Sequence, residues 1–227
     1  MTKRNGGGVG SRNPINDIAA RSKAAEDRWH EKLLVTEGNR EMIDSLAEKN
    51  GTVLVAGEPG QQNLVPLLML LRAAEKRDIM IITASAEPKL YKALSNEGVA
   101  FQSVMVSMHY IDRVIAVREN MKSVLDLSHA VANEILDRVS RKNNPAVVVY
   151  TTGSISLDQI DHVSSMLKAI FWREFISAVN PIGNGILLVL FCNDFDGAAL
   201  AQKVNLADYM LATINKGGAS TLKIKAL

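Results

Sequence analysis

Four short, nearly pure apolar runs constrain this chain more than anything else in it: Thr52–Ala56, Ile79–Thr83, Ala146–Thr151 and Ile186–Cys192. Each is far too short to span a bilayer. Each is also too apolar for a sheet with one wet face, so the pattern predicts central parallel strands covered by helices on both sides. The intervening stretches read as those helices. Leu64–Glu75 is apolar all round, with Pro66 tolerable only in a first turn. Glu87–Glu97 is a helix stopped by Gly98. Ser123–Arg141 is amphipathic through Val124, Leu127, Val131 and Ile135, and Leu157–Val179 through Ile160, Val163, Leu167 and Phe171. Phe101–Val106 and Ile111–Val117 read as further strands and Gly197–Val204 as a short helix. Asp208–Ile214 and Thr221–Lys225 form a closing strand pair around Lys216-Gly217-Gly218, with Leu222 and Ile224 alternating against Lys223 and Lys225 as at a sheet edge. Strands alternating with helices build βαβ units and one doubly covered sheet.

The N-terminal part has a different texture. Residues 1–14 are rich in Gly, Asn, Lys and Arg, which predicts a disordered basic tail. Its Lys3, Arg4 and Arg12 read as solvated charges, or as an arm touching phosphate or an acidic partner. Residues 15–50 read as a helical segment broken at Gly38, with a second helix over Asn39–Lys49. Trp29 there docks the segment onto its own domain or anchors a neighbouring subunit. The α/β domain proper is expected from 51 to 227. With 227 residues, 47% hydrophobic and 22% charged, the chain has the material for a full globular core. A formal net charge of +2 implies no dominant electrostatic partner, and Lys and Arg without interleaved aromatics give no support for nucleic-acid binding. The single cysteine, Cys192, forms no internal disulfide; with no secretory signal read at the N-terminus, the expected location is the cytoplasm.

Chemistry is expected where the first strong strand ends. Thr52 to Leu64 reads as strand, Gly-rich turn and helix start, the place where a P-loop holds nucleotide phosphates. The Walker A pattern, G-x-x-x-x-G-K-[ST], aligned on Gly57 would run through Glu58, Pro59, Gly60 and Gln61. It then meets Gln62 in place of the second glycine, Asn63 in place of lysine and Leu64 in place of the hydroxyl residue. Asn63 brings no charge to a phosphate and Leu64 no oxygen to Mg²⁺. Gly57 and Gly60 still leave room for backbone N–H groups to face an anion, and Gln61, Gln62 and Asn63 can donate hydrogen bonds. Losing the lysine contact and the metal removes charge-assisted bonds of roughly 1.5–3 kcal/mol each, so ATP would bind weakly at best. The other reading is a structural βα turn whose glycines serve close packing.

Set in order, these segments resemble the RecA-like, KaiC-type ATPases, including the archaellum accessory ATPase. The resemblance covers about Asn39 to Leu227. Val53 to Gly60 looks like that family's first strand and loop, and Ile79 to Thr83 like its second strand. Pro145 to Tyr150 resembles the Walker B strand, and Ile186 to Cys192 followed by Leu206-Ala207-Asp208 the sensor strand and the segment after it. The resemblance implies a RecA-like three-layer fold: a mostly parallel central sheet, helices on both faces and an antiparallel C-terminal edge. It also shows where catalytic residues are missing. The Walker B strand ends in Tyr150 and Thr151 instead of a carboxylate, and Ala84 and Ser85 stand where the family carries its catalytic Glu, with Glu87 close by. Orienting water, holding metal and stabilising transferred charge would fail together.

The expectation is therefore a non-catalytic RecA-like protein with no metal and no resident cofactor. It would act as a scaffold or regulatory subunit in a homo-oligomeric ring, or in a hetero-oligomer with a related ATPase. A motility or pilus motor or a recombination complex would be its setting. Two alternatives stand beside it. One is a sensor that binds ATP without turning it over. The other is an enzyme of another α/β family using strand-end residues at Thr151–Ser154 and Cys192–Asp196. The histidines, His30, His109, His129 and His162, have no metal-ligand spacing.

Overall fold

The computed structural model describes residues 33–57, 64–83, 88–105, 120–141, 146–151, 163–191, 205–216 and 219–227. The elements in chain order are β1 (Leu33–Leu34), α1 (Glu37–Ala47), β2 (Gly51–Gly57), α2 (Leu64–Ala73), β3 (Asp78–Thr83), α3 (Pro88–Asn96) and β4 (Gln102–Met105). They continue with α4 (Met121–Val139), β5 (Ala146–Thr151), α5 (Ser165–Val179), β6 (Ile186–Phe191), β7 (Tyr209–Lys216) and β8 (Ala219–Ala226). All eight strands join one sheet in the order β1-β8-β7-β2-β6-β5-β3-β4. β2 to β7 run parallel, and β7 and β8 form the antiparallel pair, aligned from Tyr209↔Ala226 to Lys216↔Ala219.

The period of two along each central strand divides the apolar residues between two cores. Leu54 and Ala56 of β2, Val148 and Tyr150 of β5, and Leu188 and Leu190 of β6 face α4 and α5. Their neighbours Val53, Val55, Val147, Val149, Leu187 and Val189 face α1, α2 and α3. Both faces of the central strands are thus dry, as runs without alternation require. The expected three layers, mostly parallel sheet and antiparallel C-terminal pair are all present. On β8, Leu222 is buried while Lys223 and Lys225 are exposed.

Local chemistry sets the helix ends. Thr36 caps α1, its hydroxyl accepting from the Asn39 N–H at 3.2 Å, and the Asn120 side chain accepts from the Ser123 N–H at 2.8 Å to start α4. After α3 the chain turns left-handed at Gly98, φ +70°, and the Val99 N–H reaches back to the Leu94 carbonyl at 3.0 Å. Asn180 takes the left-handed conformation after α5, with φ 44°.

Three readings change. Leu33–Leu34, taken as helical, is a strand paired parallel with Ser220–Thr221 of β8. Gly38 is no helix break; it lies in the first turn of α1, which Thr36 starts earlier than expected. The helix expected over Leu157–Val179 does not run through Ser164, whose extended backbone caps α5 at Ser165; residues 157–162 lie outside the described residues. The tail at 1–14, Trp29, the strand expected at Ile111–Val117 and the helix at Gly197–Val204 lie outside the described residues.

The N-terminal edge of the sheet is tied by two side chains. Arg77, just before β3, donates to the carbonyls of Ala47 at 3.1 Å, Lys49 at 2.7 Å, Ala146 at 3.1 Å and Gly185 at 3.1 Å, and to the Asn50 side-chain oxygen at 3.0 Å. One guanidinium thus joins the end of α1 to the starts of β5 and β6. Its burial lowers its pKa from the ordinary arginine value, and its Nε–H has no acceptor among the described residues. Asp208, before β7, accepts from the Thr52 N–H at 2.7 Å, while its own N–H donates to the Thr52 carbonyl at 2.9 Å. The fit is close: a Cβ on Gly51, at φ +139°, would stand 2.7 Å from the Asp208 carboxylate.

Candidate functional site

In an open α/β sheet, ligands gather beyond the carboxyl ends of the strands. Here that edge is formed by the ends of β7, β2, β6, β5 and β3. Gly57 closes β2 and is level with Thr213 of β7; Phe191 closes β6, level with both Val55 and Thr151. β6 therefore lies between the strand that carries the Gly-rich loop and β5, the strand that the family resemblance reads as Walker B. β1 reaches the same edge, because Leu34 is level with Thr221 and Thr221 with Ile214, one residue beyond the partner of Gly57. β1 thus begins at the loop-bearing end of the sheet.

The loop itself, Glu58, Pro59, Gly60, Gln61, Gln62 and Asn63, lies outside the described residues, but both its anchors are placed. Gly57 ends β2, and Leu64 opens α2 with Pro66 in its first turn, where a missing N–H costs nothing. Leu64 is half-buried and packs against the core under α1, α2 and α3. The position that would offer a hydroxyl to a metal is a packing residue.

Tyr150 is placed as firmly. It is 2% exposed and belongs to the core under α4 and α5, whereas α2 lies on the opposite face of the sheet. Its ring meets Trp172 edge-on with centroids 5.7 Å apart and Phe175 at 5.4 Å. Phe171 completes the group, at 5.3 Å from Trp172 and 6.0 Å from Phe175. Aromatic pairs at these separations add about 0.5–1.5 kcal/mol each beyond burial. Thr151, the other residue at the Walker B position, ends β5 opposite Phe191.

Several other candidates fall outside the described residues: Ala84, Ser85 and Glu87 after β3, Thr152–Ser154 after β5, and Cys192–Asp196 after β6. His129 is exposed on α4. Among the described residues no group of histidine, cysteine and carboxylate side chains could hold a metal ion, and no helix is long and apolar enough to cross a membrane. A groove of about 460 Å³ runs between α1 and α2, with Ile43, Val65 and Leu68 in its floor and Arg40, Asp44 and Glu75 among its charged residues.

Arg77, with five side-chain hydrogen bonds, and Asp208, paired with Thr52, lie at the opposite edge of the sheet. Nothing in Lys76-Arg77-Asp78 distinguishes a buried guanidinium from a solvated one. Asp208 had a signal, since Leu206-Ala207-Asp208 was picked out by the family resemblance. Its role is structural, at the edge opposite the loop.

No protein-family model matches this chain, and no curated protein matches it. Solved structures do. The conjugation coupling protein TcpA of pCW3, in its monomer form with ATPgS, is 18% identical with a TM-score of 0.40, over 73% of this chain. The present chain spans only about half of that one, 49%. The flagellar accessory protein FlaH from Methanocaldococcus jannaschii is 10% identical with a TM-score of 0.45, over 83% of this chain and 84% of that one. The protein PH0321 from Pyrococcus horikoshii, in complex with an unknown peptide, is 13% identical with a TM-score of 0.44, over 79% and 84%. Likeness at this level adds nothing to the strand order.

Proposed function

We propose that this chain is a RecA-like pseudo-ATPase that works by assembly, as a scaffold or regulatory subunit. It forms a ring of its own copies or joins a related ATPase, in a motility, pilus or recombination machine. The observation that carries this reading is the use made of two landmark positions. Leu64 and Tyr150 stand where an active enzyme needs a hydroxyl and a carboxylate, and each is packed into a different core. Leu64 has no oxygen to offer a metal, and the Tyr150 ring is packed among Trp172 and Phe175. Asn63 in place of lysine removes the remaining fixed charge. A reducing compartment such as the cytoplasm suits a protein with one cysteine.

A second reading draws on the strand–turn–helix frame from Gly57 to α2. A helix start facing the strand ends favours an anion, so the loop would sense nucleotide without cleaving it. Two measurements separate them. Native mass measurement of the chain, alone and with Mg²⁺ and ATP, is expected to give an assembly whose size does not change with nucleotide. A strict monomer at high concentration removes the homo-oligomeric ring. Calorimetric titration with ATP is expected to show no saturable binding at micromolar levels; saturation there replaces the scaffold with the sensor.

A further inference from the structure

We draw no further inference here: the strongest candidate, the groove between α1 and α2 floored by Ile43, Val65 and Leu68, has a charged rim in which Arg72 already pairs with Glu97, and nothing in the structure shows what covers it.

Discussion

Replacing Arg77 with alanine removes five hydrogen bonds at once, and their settings differ. The acceptors on Lys49 and Asn50 lie at the exposed rim, where water replaces the donor at little cost. The carbonyls of Ala47, Ala146 and Gly185 are partly buried. Leaving a partly buried acceptor without its charged donor costs about 1 kcal/mol or more, so three sum to about 3 kcal/mol. Removing a desolvated cation whose Nε–H is unsatisfied returns part of this loss, while a cavity beside the stem adds to it. The expected cost of Arg77→Ala is about 2–4 kcal/mol. In urea unfolding this lowers the midpoint by about 1 M at unchanged slope, and in a thermal melt it lowers the midpoint by about 5–15 °C. Arg77→Lys keeps the charge, but its three donors on one nitrogen reach only some of the acceptors, so about half the loss is expected. Burial favours the neutral form and so opposes folding while the guanidinium is charged. It stays charged throughout neutral pH, so the effect of Arg77→Ala should be flat from about pH 5 to 9. Hydrogen exchange should show α1 losing protection first, since the bonds to Ala47 and Lys49 tie its end to β5 and β6. A midpoint within about 0.2 M of the parent, with α1 exchange unchanged, would refute this reasoning.

Three further outcomes follow from the same contacts. Tyr150→Asp, which nominally restores a Walker B carboxylate, places a charge among Trp172 and Phe175; it should cost more than about 4 kcal/mol by urea unfolding and give no hydrolysis. Stable folding of that variant would show that Tyr150 is not the core residue described. Gly51→Ala should destabilise by more than about 1 kcal/mol, since φ is +139° and the new Cβ meets the Asp208 carboxylate. In a double-mutant cycle, Asp208→Ala should relieve part of that cost; strict additivity would mean that the two do not touch.

Much of this fold is legible in the sequence because its strongest signals are physical and local. Val147, Val148 and Val149 in succession leave no polar face, so that strand had to be covered twice, and it is. Gly98 ends α3 as expected, and Pro66 fixes the start of α2. The errors fall where tertiary pairing overrides local pattern. Leu33–Leu34 follows a charged stretch of helical composition, and only its pairing with β8 makes it a strand. Ser164 looks like any residue in a long apolar pattern until its extended backbone caps α5. At the candidate site the expectation that Asn63, Leu64 and Tyr150 replace catalytic groups rests on the family resemblance, and the sequence did not reveal how Leu64 and Tyr150 pack. Their packing depends on which face of the sheet each meets, and no local motif encodes that. Arg77 shows the same limit from the other side: its acceptors come from residues 47, 49, 50, 146 and 185, which only the folded sheet brings together.

The proposed function requires that the loop edge of this sheet does not turn over nucleotide. Phosphate release with excess ATP and Mg²⁺ tests it most directly, for the parent chain and for Glu87→Gln, which removes a carboxylate close in sequence to Ala84 and Ser85. The account predicts that both stay at the buffer blank, below the roughly 10⁻⁴ to 10⁻³ s⁻¹ of slow intrinsic NTPases with a working loop. Mg²⁺-dependent release above that level by the parent chain, lost in Glu87→Gln, would contradict it.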